Sequence, residues 1–87
     1  MLSSNKPVLL VTGGARGIGA AIVRLAAKEG YSIAVNYQHA THEADALVKG
    51  IKDLGGNALS IQADVSQERD VLRMFEVIDQ HLGALTA

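Results

Sequence analysis

The segment Thr12-Gly13-Gly14-Ala15-Arg16-Gly17-Ile18-Gly19 lies between a short apolar run, Val8 to Val11, and a stretch of helical periodicity. A strand that breaks into a glycine-rich turn and continues as a helix is the strongest constraint on what this chain can fold into. Glycines at 13, 17 and 19 let the backbone turn sharply, approach an anion without Cβ interference, and bring the helix close to the sheet. Amide donors at the start of that helix would face the anion, so the segment reads as a cradle for nucleotide phosphates.

The rest of the chain repeats the strand-to-helix alternation. Val8-Leu9-Leu10-Val11 is uninterrupted and apolar, as expected of a strand covered on both faces of a parallel sheet. Ile18, Ala21, Ile22, Leu25 and Ala26 then recur at helical spacing up to Gly30. Tyr31 to Tyr37 reads as a second strand. The spacing of Ala44, Leu47, Val48, Ile51 and Leu54 predicts a second helix, with Thr41 as N-cap and Gly55-Gly56 as its stop. Leu59, Ile61, Ala63 and Val65 alternate with polar residues, as in a strand at a sheet edge. A third helix follows, capped by Ser66, with Val71, Leu72, Phe75, Ile78 and Leu82 as its apolar stripe and Gly83 after it. The order β-α-β-α-β-α implies right-handed crossovers onto one parallel sheet with spatial order 3-2-1, half of a doubly wound α/β fold. Leu85-Thr86-Ala87 stands where a fourth strand would begin beside the first.

Composition excludes several classes of function. Eighty-seven residues, 48% hydrophobic and 20% charged, suit one small globular domain over residues 1–87. Eight Lys and Arg against nine Asp and Glu leave no basic footprint for nucleic acid, and 3% aromatic residues leave no base-stacking platform. The absence of cysteine removes disulfides, thiolate catalysis and Cys-based zinc sites. The Val8–Val11 run is too short for a signal peptide or membrane span, so a cytoplasmic location is expected. His39 and His42 lack a third ligand and no metal site is expected; His81 suits the C-terminal dipole of its helix.

Within nucleotide binding, a Walker loop needs Lys and then Ser or Thr after its last glycine, whereas Gly19 is followed by Ala20-Ala21. The spacing G-x-x-x-G-x-G behind Thr12 also departs from the common G-x-G-x-x-G fingerprint. That spacing resembles the short-chain dehydrogenase/reductase family, with Thr12, Gly13, Gly17 and Gly19 at its TGxxxGxG positions. The resemblance implies a Rossmann-like fold, with Ile18 offering a backbone donor near the pyrophosphate. It also implies that Asp64-Val65 contacts the adenine edge through the Asp64 carboxylate and a backbone amide. Asp64 read alone is a turn residue leading into Ser66.

Cofactor choice turns on the end of the second strand, where NAD enzymes place Asp or Glu against the ribose 2′-hydroxyl and this chain has Asn36-Tyr37-Gln38. With no carboxylate to repel a 2′-phosphate and Arg16 available to bond it, NADP is the preferred cofactor and NAD the alternative. Members of the family run to about 250 residues. On that resemblance the chain is expected to be the N-terminal portion of an oxidoreductase acting on a small-molecule alcohol or carbonyl, truncated before the family's Asn-Asn-Ala-Gly segment, catalytic serine and Tyr-x-x-x-Lys pair. No catalytic residue is assigned within residues 1–87, and the chain alone is expected to be inactive. A first strand left at an open edge favours self-association, and the parent protein is expected to be a homo-oligomer. The alternative is a stand-alone, non-catalytic NADP-binding or sensing module.

Overall fold

The computed structural model describes residues 6–87. Its elements are β1 (Val8–Val11), α1 (Gly17–Lys28), β2 (Ser32–Tyr37), α2 (Thr41–Asp53), β3 (Ala58–Gln62) and α3 (Glu68–His81). The strands form one parallel sheet in the order β1-β2-β3, with Leu9 beside Ile33, and Val35 beside Ser60. This is the expected Rossmann-like α/β half.

Alternation of side chains across β2 splits the core into two layers. Ile33 and Val35 point to one face, where they meet Val23 of α1 and Ala44, Leu47, Val48 and Ile51 of α2. Ala34 points to the other, joining Val8, Ile61, Ala63, and Met74 and Ile78 of α3. Helices therefore cover both faces, and Ser32 to Asn36 are all buried. In β1 only Val8 is buried, and Leu9 to Val11 are partly exposed. The expectation that β1 is covered on both faces is corrected on this point, because β2 is the middle strand of the three.

Residues 85–87 behave as expected of a beginning fourth strand. Thr86 and Ala87 donate backbone N–H groups to the Val8 carbonyl at 2.9 and 3.0 Å, and Leu10 donates to the Ala87 carbonyl at 3.0 Å. The Thr86 hydroxyl accepts from the Val8 amide at 3.2 Å. The alternation of Val8 and Leu10 as partners of Ala87 is that of a parallel ladder.

Two helices are rotated from the orientation their large apolar residues suggest, although Ile78 of α3 is buried as expected and Leu82 packs beside it. In α1 the buried residues are Ala20 and Val23, while Ile18, Ile22 and Leu25 are exposed. The reason is proximity: α1 enters so close to the glycine loop that its small residues must face the sheet. In α3, Met74 and Ile78 are buried, while Leu72 and Phe75 are exposed. An unbranched methionine fills the space over Ala34 that the phenylalanine, one residue and about 100° further round, does not reach. Leu54, expected at the end of the α2 stripe, follows the last helical turn and is exposed.

The cap positions also shift by one residue. Ala40 precedes α2 and Gln67 precedes α3, neither with a side-chain capping bond. Thr41 is instead the first residue of α2, and Ser66 bonds to Asp64. The strand expected to run to Val65 ends at Gln62 because the Asp64 amide donates to the Asp70 carboxylate at 2.9 Å, drawing the chain away from β2.

Candidate functional site

Parallel strands place all their C-terminal ends along one edge of the sheet, and helix N-termini gather there. The loop Thr12–Arg16, the segment Asn36–Gln38 and the segment Asp64–Val65 all lie at this edge. The Ala63 amide donates to the Tyr37 carbonyl at 3.0 Å, and the Gln62 side chain to the Gln38 carbonyl at 3.4 Å.

Three glycines shape the loop, each in its own way. Gly13 and Gly17 have φ of 62° and 56°, a left-handed conformation that other residues adopt at a cost of about 1–2 kcal/mol, and neither Cβ position is crowded. Gly19 is needed for contact: a Cβ there would lie 2.5 Å from the Gly13 carbonyl oxygen and 2.9 Å from the Gly14 Cα. The glycine spacing thus combines two backbone turns with one close approach of helix to loop.

The loop amides divide into structural and available donors. Gly14 donates to the Asn36 carbonyl at 3.1 Å, and Gly13 to the Asn36 Oδ1 at 3.4 Å. Ala15 is buried against the α1/α2 layer of the core. The amides of Gly17, Ile18 and Gly19, in the first turn of α1, have no hydrogen-bond acceptor among the described residues. Three donors at the positive end of a twelve-residue helix suit a pyrophosphate.

Asn36 faces inward rather than toward the crevice. It is 3% exposed, and its amide nitrogen donates to the carbonyls of Ile61 and Ala63 at 3.4 and 3.2 Å. One side chain therefore ties the end of β1 to the end of β3 across β2. Sequence reasoning placed Asn36 among cofactor contacts and missed this bracing role. An amide within the otherwise apolar Ile33-Ala34-Val35 strand is the signal that could have revealed it. Tyr37 is partly buried against the core, and Gln38 is exposed beside it.

At the far wall, Asp64 Oδ1 accepts from the Ser66 hydroxyl at 2.7 Å and the Ser66 amide at 3.0 Å. These bonds hold the carboxyl below its ordinary value, with His39 adding a smaller favourable charge effect. Asp64 is thus an ionised turn residue with one oxygen engaged, and the amide of the exposed Val65 next to it has no acceptor among the described residues.

Arg16 precedes the first residue of α1 with extended backbone (φ −138°, ψ 160°). Its Nε lies 3.7 Å from Oε2 of Glu43, in the first turn of α2. Thr12 is exposed at the mouth of the turn. Among the described residues there is no cluster of three or more metal-ligating side chains and no helix long and apolar enough to cross a membrane.

Comparison with known proteins matches this geometry. The family model described as short chain dehydrogenase matches residues 7–87. The uncharacterized oxidoreductase YgfF of Escherichia coli (strain K12) is 50% identical over 80 residues, covering 92% of this chain and 32% of that protein. The short-chain dehydrogenase/reductase homolog YusS of Bacillus subtilis (strain 168) is 46% identical over 71 residues, covering 82% of this chain and 65% of YusS. Among solved structures, FolM alternative dihydrofolate reductase 1 from Brucella suis in complex with NADP superposes with a TM-score of 0.83 at 39% identity. That match covers 97% of this chain and 33% of the Brucella chain. The chain spans about a third of the length of YgfF and of the Brucella protein.

Proposed function

The chain belongs to the short chain dehydrogenase family, and from that premise we propose that it forms the adenosine- and pyrophosphate-binding part of an NADP(H)-dependent oxidoreductase. The reaction we assign is interconversion of an alcohol and a carbonyl on a small metabolite. The observation that carries the cofactor assignment is the row of open amides at Gly17, Ile18 and Gly19 beside Arg16, with no carboxylate at the end of β2.

The residues present fit a dinucleotide. The α1 amides are donors for the pyrophosphate, and Gly13 and Gly17 let the backbone approach it without side-chain interference. The Arg16 guanidinium is available to a 2′-phosphate. The open Val65 amide and the Asp64 carboxylate would meet the adenine edge. When bound, such a cofactor supplies or accepts a hydride at its nicotinamide. This chain's residues anchor its other end. We assign the groups that handle the substrate and its proton to the two thirds of the relatives' length that these residues do not span.

Calorimetric titration of the full-length protein with NADP and NAD tests the assignment. NADP should bind at least about tenfold more tightly, equivalent to about 1.4 kcal/mol. Tenfold tighter binding of NAD would refute the role given to Arg16. The 65% coverage of YusS, a protein well under the length of the other relatives, favours a second reading as a compact NADP-binding module without chemistry. NADP binding by the protein without carbonyl-dependent NADPH oxidation would support that second reading.

A further inference from the structure

We propose that Glu43 is a specificity-determining residue that restrains Arg16 and lowers the preference for a 2′-phosphorylated cofactor. The inference rests on the assignment of Arg16 to the 2′-phosphate. Two observations carry it. The first is the 3.7 Å approach of Glu43 Oε2 to Arg16 Nε, the one ion pair among the described residues that joins the glycine loop to α2. The second is the neutral end of β2, Asn36-Tyr37-Gln38, where the Asn36 side chain is committed to the Gly13 amide and to β3. With that position occupied by a structural amide, Glu43 is the carboxylate placed at the guanidinium itself.

The approach is through Nε, on the stem side of the guanidinium, and its terminal nitrogens supply the further donors a phosphate would take. Glu43 thus permits binding of a 2′-phosphate while opposing it. Its charge repels the dianion and partly neutralises the arginine that attracts it. A free 2′-hydroxyl carries no charge and feels neither effect. Glu43 also sits in the first turn of α2, where an acidic residue is favourable, so its place is maintained whether or not Arg16 moves. Both side chains remain largely exposed, at 66% and 51%, so water and salt weaken the effect without abolishing it.

The test compares 2′,5′-ADP with 5′-AMP, binding of each measured by calorimetry in the full-length wild-type, Glu43→Gln, Glu43→Ala, Arg16→Ala and Arg16→Ala/Glu43→Gln proteins. Both Glu43 variants should bind 2′,5′-ADP about three- to tenfold more tightly and 5′-AMP unchanged. The gain should shrink on raising salt to about 0.5 M and vanish in the Arg16→Ala background. Unchanged or weaker 2′,5′-ADP binding in the Glu43 variants would overturn the proposal, as would an equal gain for 5′-AMP. If Arg16→Ala itself leaves 2′,5′-ADP binding unaltered, the 2′-phosphate assignment fails first. A loss on Arg16→Ala combined with neutral Glu43 variants refutes only the restraint.

Discussion

Replacing Asn36 by aspartate separates two roles that sequence position alone confuses. A carboxylate near the end of β2 is the feature associated with NAD, so the substitution looks like a route to changing cofactor preference. The structure predicts a different outcome. Asn36 is 3% exposed and donates to the carbonyls of Ile61 and Ala63 at 3.4 and 3.2 Å. Asn36→Asp removes both donors and sets a buried carboxylate against two carbonyl oxygens. Loss of two hydrogen bonds is worth about 1–3 kcal/mol together, and a buried charge left with only the long Gly13 amide contact raises the total to about 3–5 kcal/mol. Burial would push the new carboxyl above the ordinary aspartate value, so the folded protein binds its proton more tightly than the unfolded chain. The penalty should therefore be full at pH 7 and diminish as pH falls through the raised folded value, where a protonated carboxyl again donates one bond. Urea unfolding followed by far-ultraviolet circular dichroism, at pH 7 and pH 5, measures it. Asn36→Ala, which removes the donors without adding charge, should cost about 1–3 kcal/mol at both pH values. A loss under about 1 kcal/mol for Asn36→Asp at pH 7, or tighter NAD binding at unchanged stability, would refute the bracing role.

Other substitutions test separate features of the same geometry. Gly19→Ala should destabilise by about 1–3 kcal/mol, because the obstructing atoms are loop backbone, and should exceed the about 1–2 kcal/mol for Gly17→Ala, where φ is the obstacle and space is open; urea unfolding ranks them. Gly50→Ala, inside α2 with nothing within 4 Å of the added Cβ, should stabilise by about 0.5–1 kcal/mol in the same assay. Ser66→Ala should raise the Asp64 carboxyl toward its ordinary value in an NMR titration, since the Ser66 hydroxyl is the largest cause of its lowering. The stability linked to Asp64 is present above the ordinary carboxylate value and is lost as pH falls through the lowered folded value, so Ser66→Ala should move that loss to higher pH. The isolated 87-residue chain, which exposes Ile18, Ile22 and Leu25 on α1, should sediment as species larger than a monomer; a clean monomer would contradict this.

Element order and the gathering of the candidate segments at one sheet edge were legible because they depend on local pattern. Glycine positions and apolar periodicity give each strand and helix within a residue or two, and parallel connection then brings Thr12–Gly19, Asn36–Gln38 and Asp64–Val65 to one edge. Helix orientation was less legible because periodicity identifies a face by residue size, whereas α1 packs by closeness. Gly19 and Ala20 must lie against the loop and the sheet, and that requirement turns Ile18, Ile22 and Leu25 outward despite their hydrophobicity.

The same distinction separates residues that offer groups to a ligand from residues that hold them in place. Asn36 and Asp64 both carry polar groups at the sheet edge, but Asn36 spends its amide on three backbone partners and Asp64 one oxygen on Ser66. What stays open is chiefly backbone: the amides of Gly17, Ile18, Gly19 and Val65. Backbone donors are the same in every sequence, so recognition of the dinucleotide frame depends on loop shape and on the side chains that brace it. On the proposed assignment, cofactor discrimination would fall to the charges at the rim, Arg16 and Glu43, whose exposed side chains can be exchanged without disturbing the frame. A brace such as Asn36 should therefore tolerate little substitution, while exchanges at residues 16 and 43 should alter cofactor preference at small cost in stability.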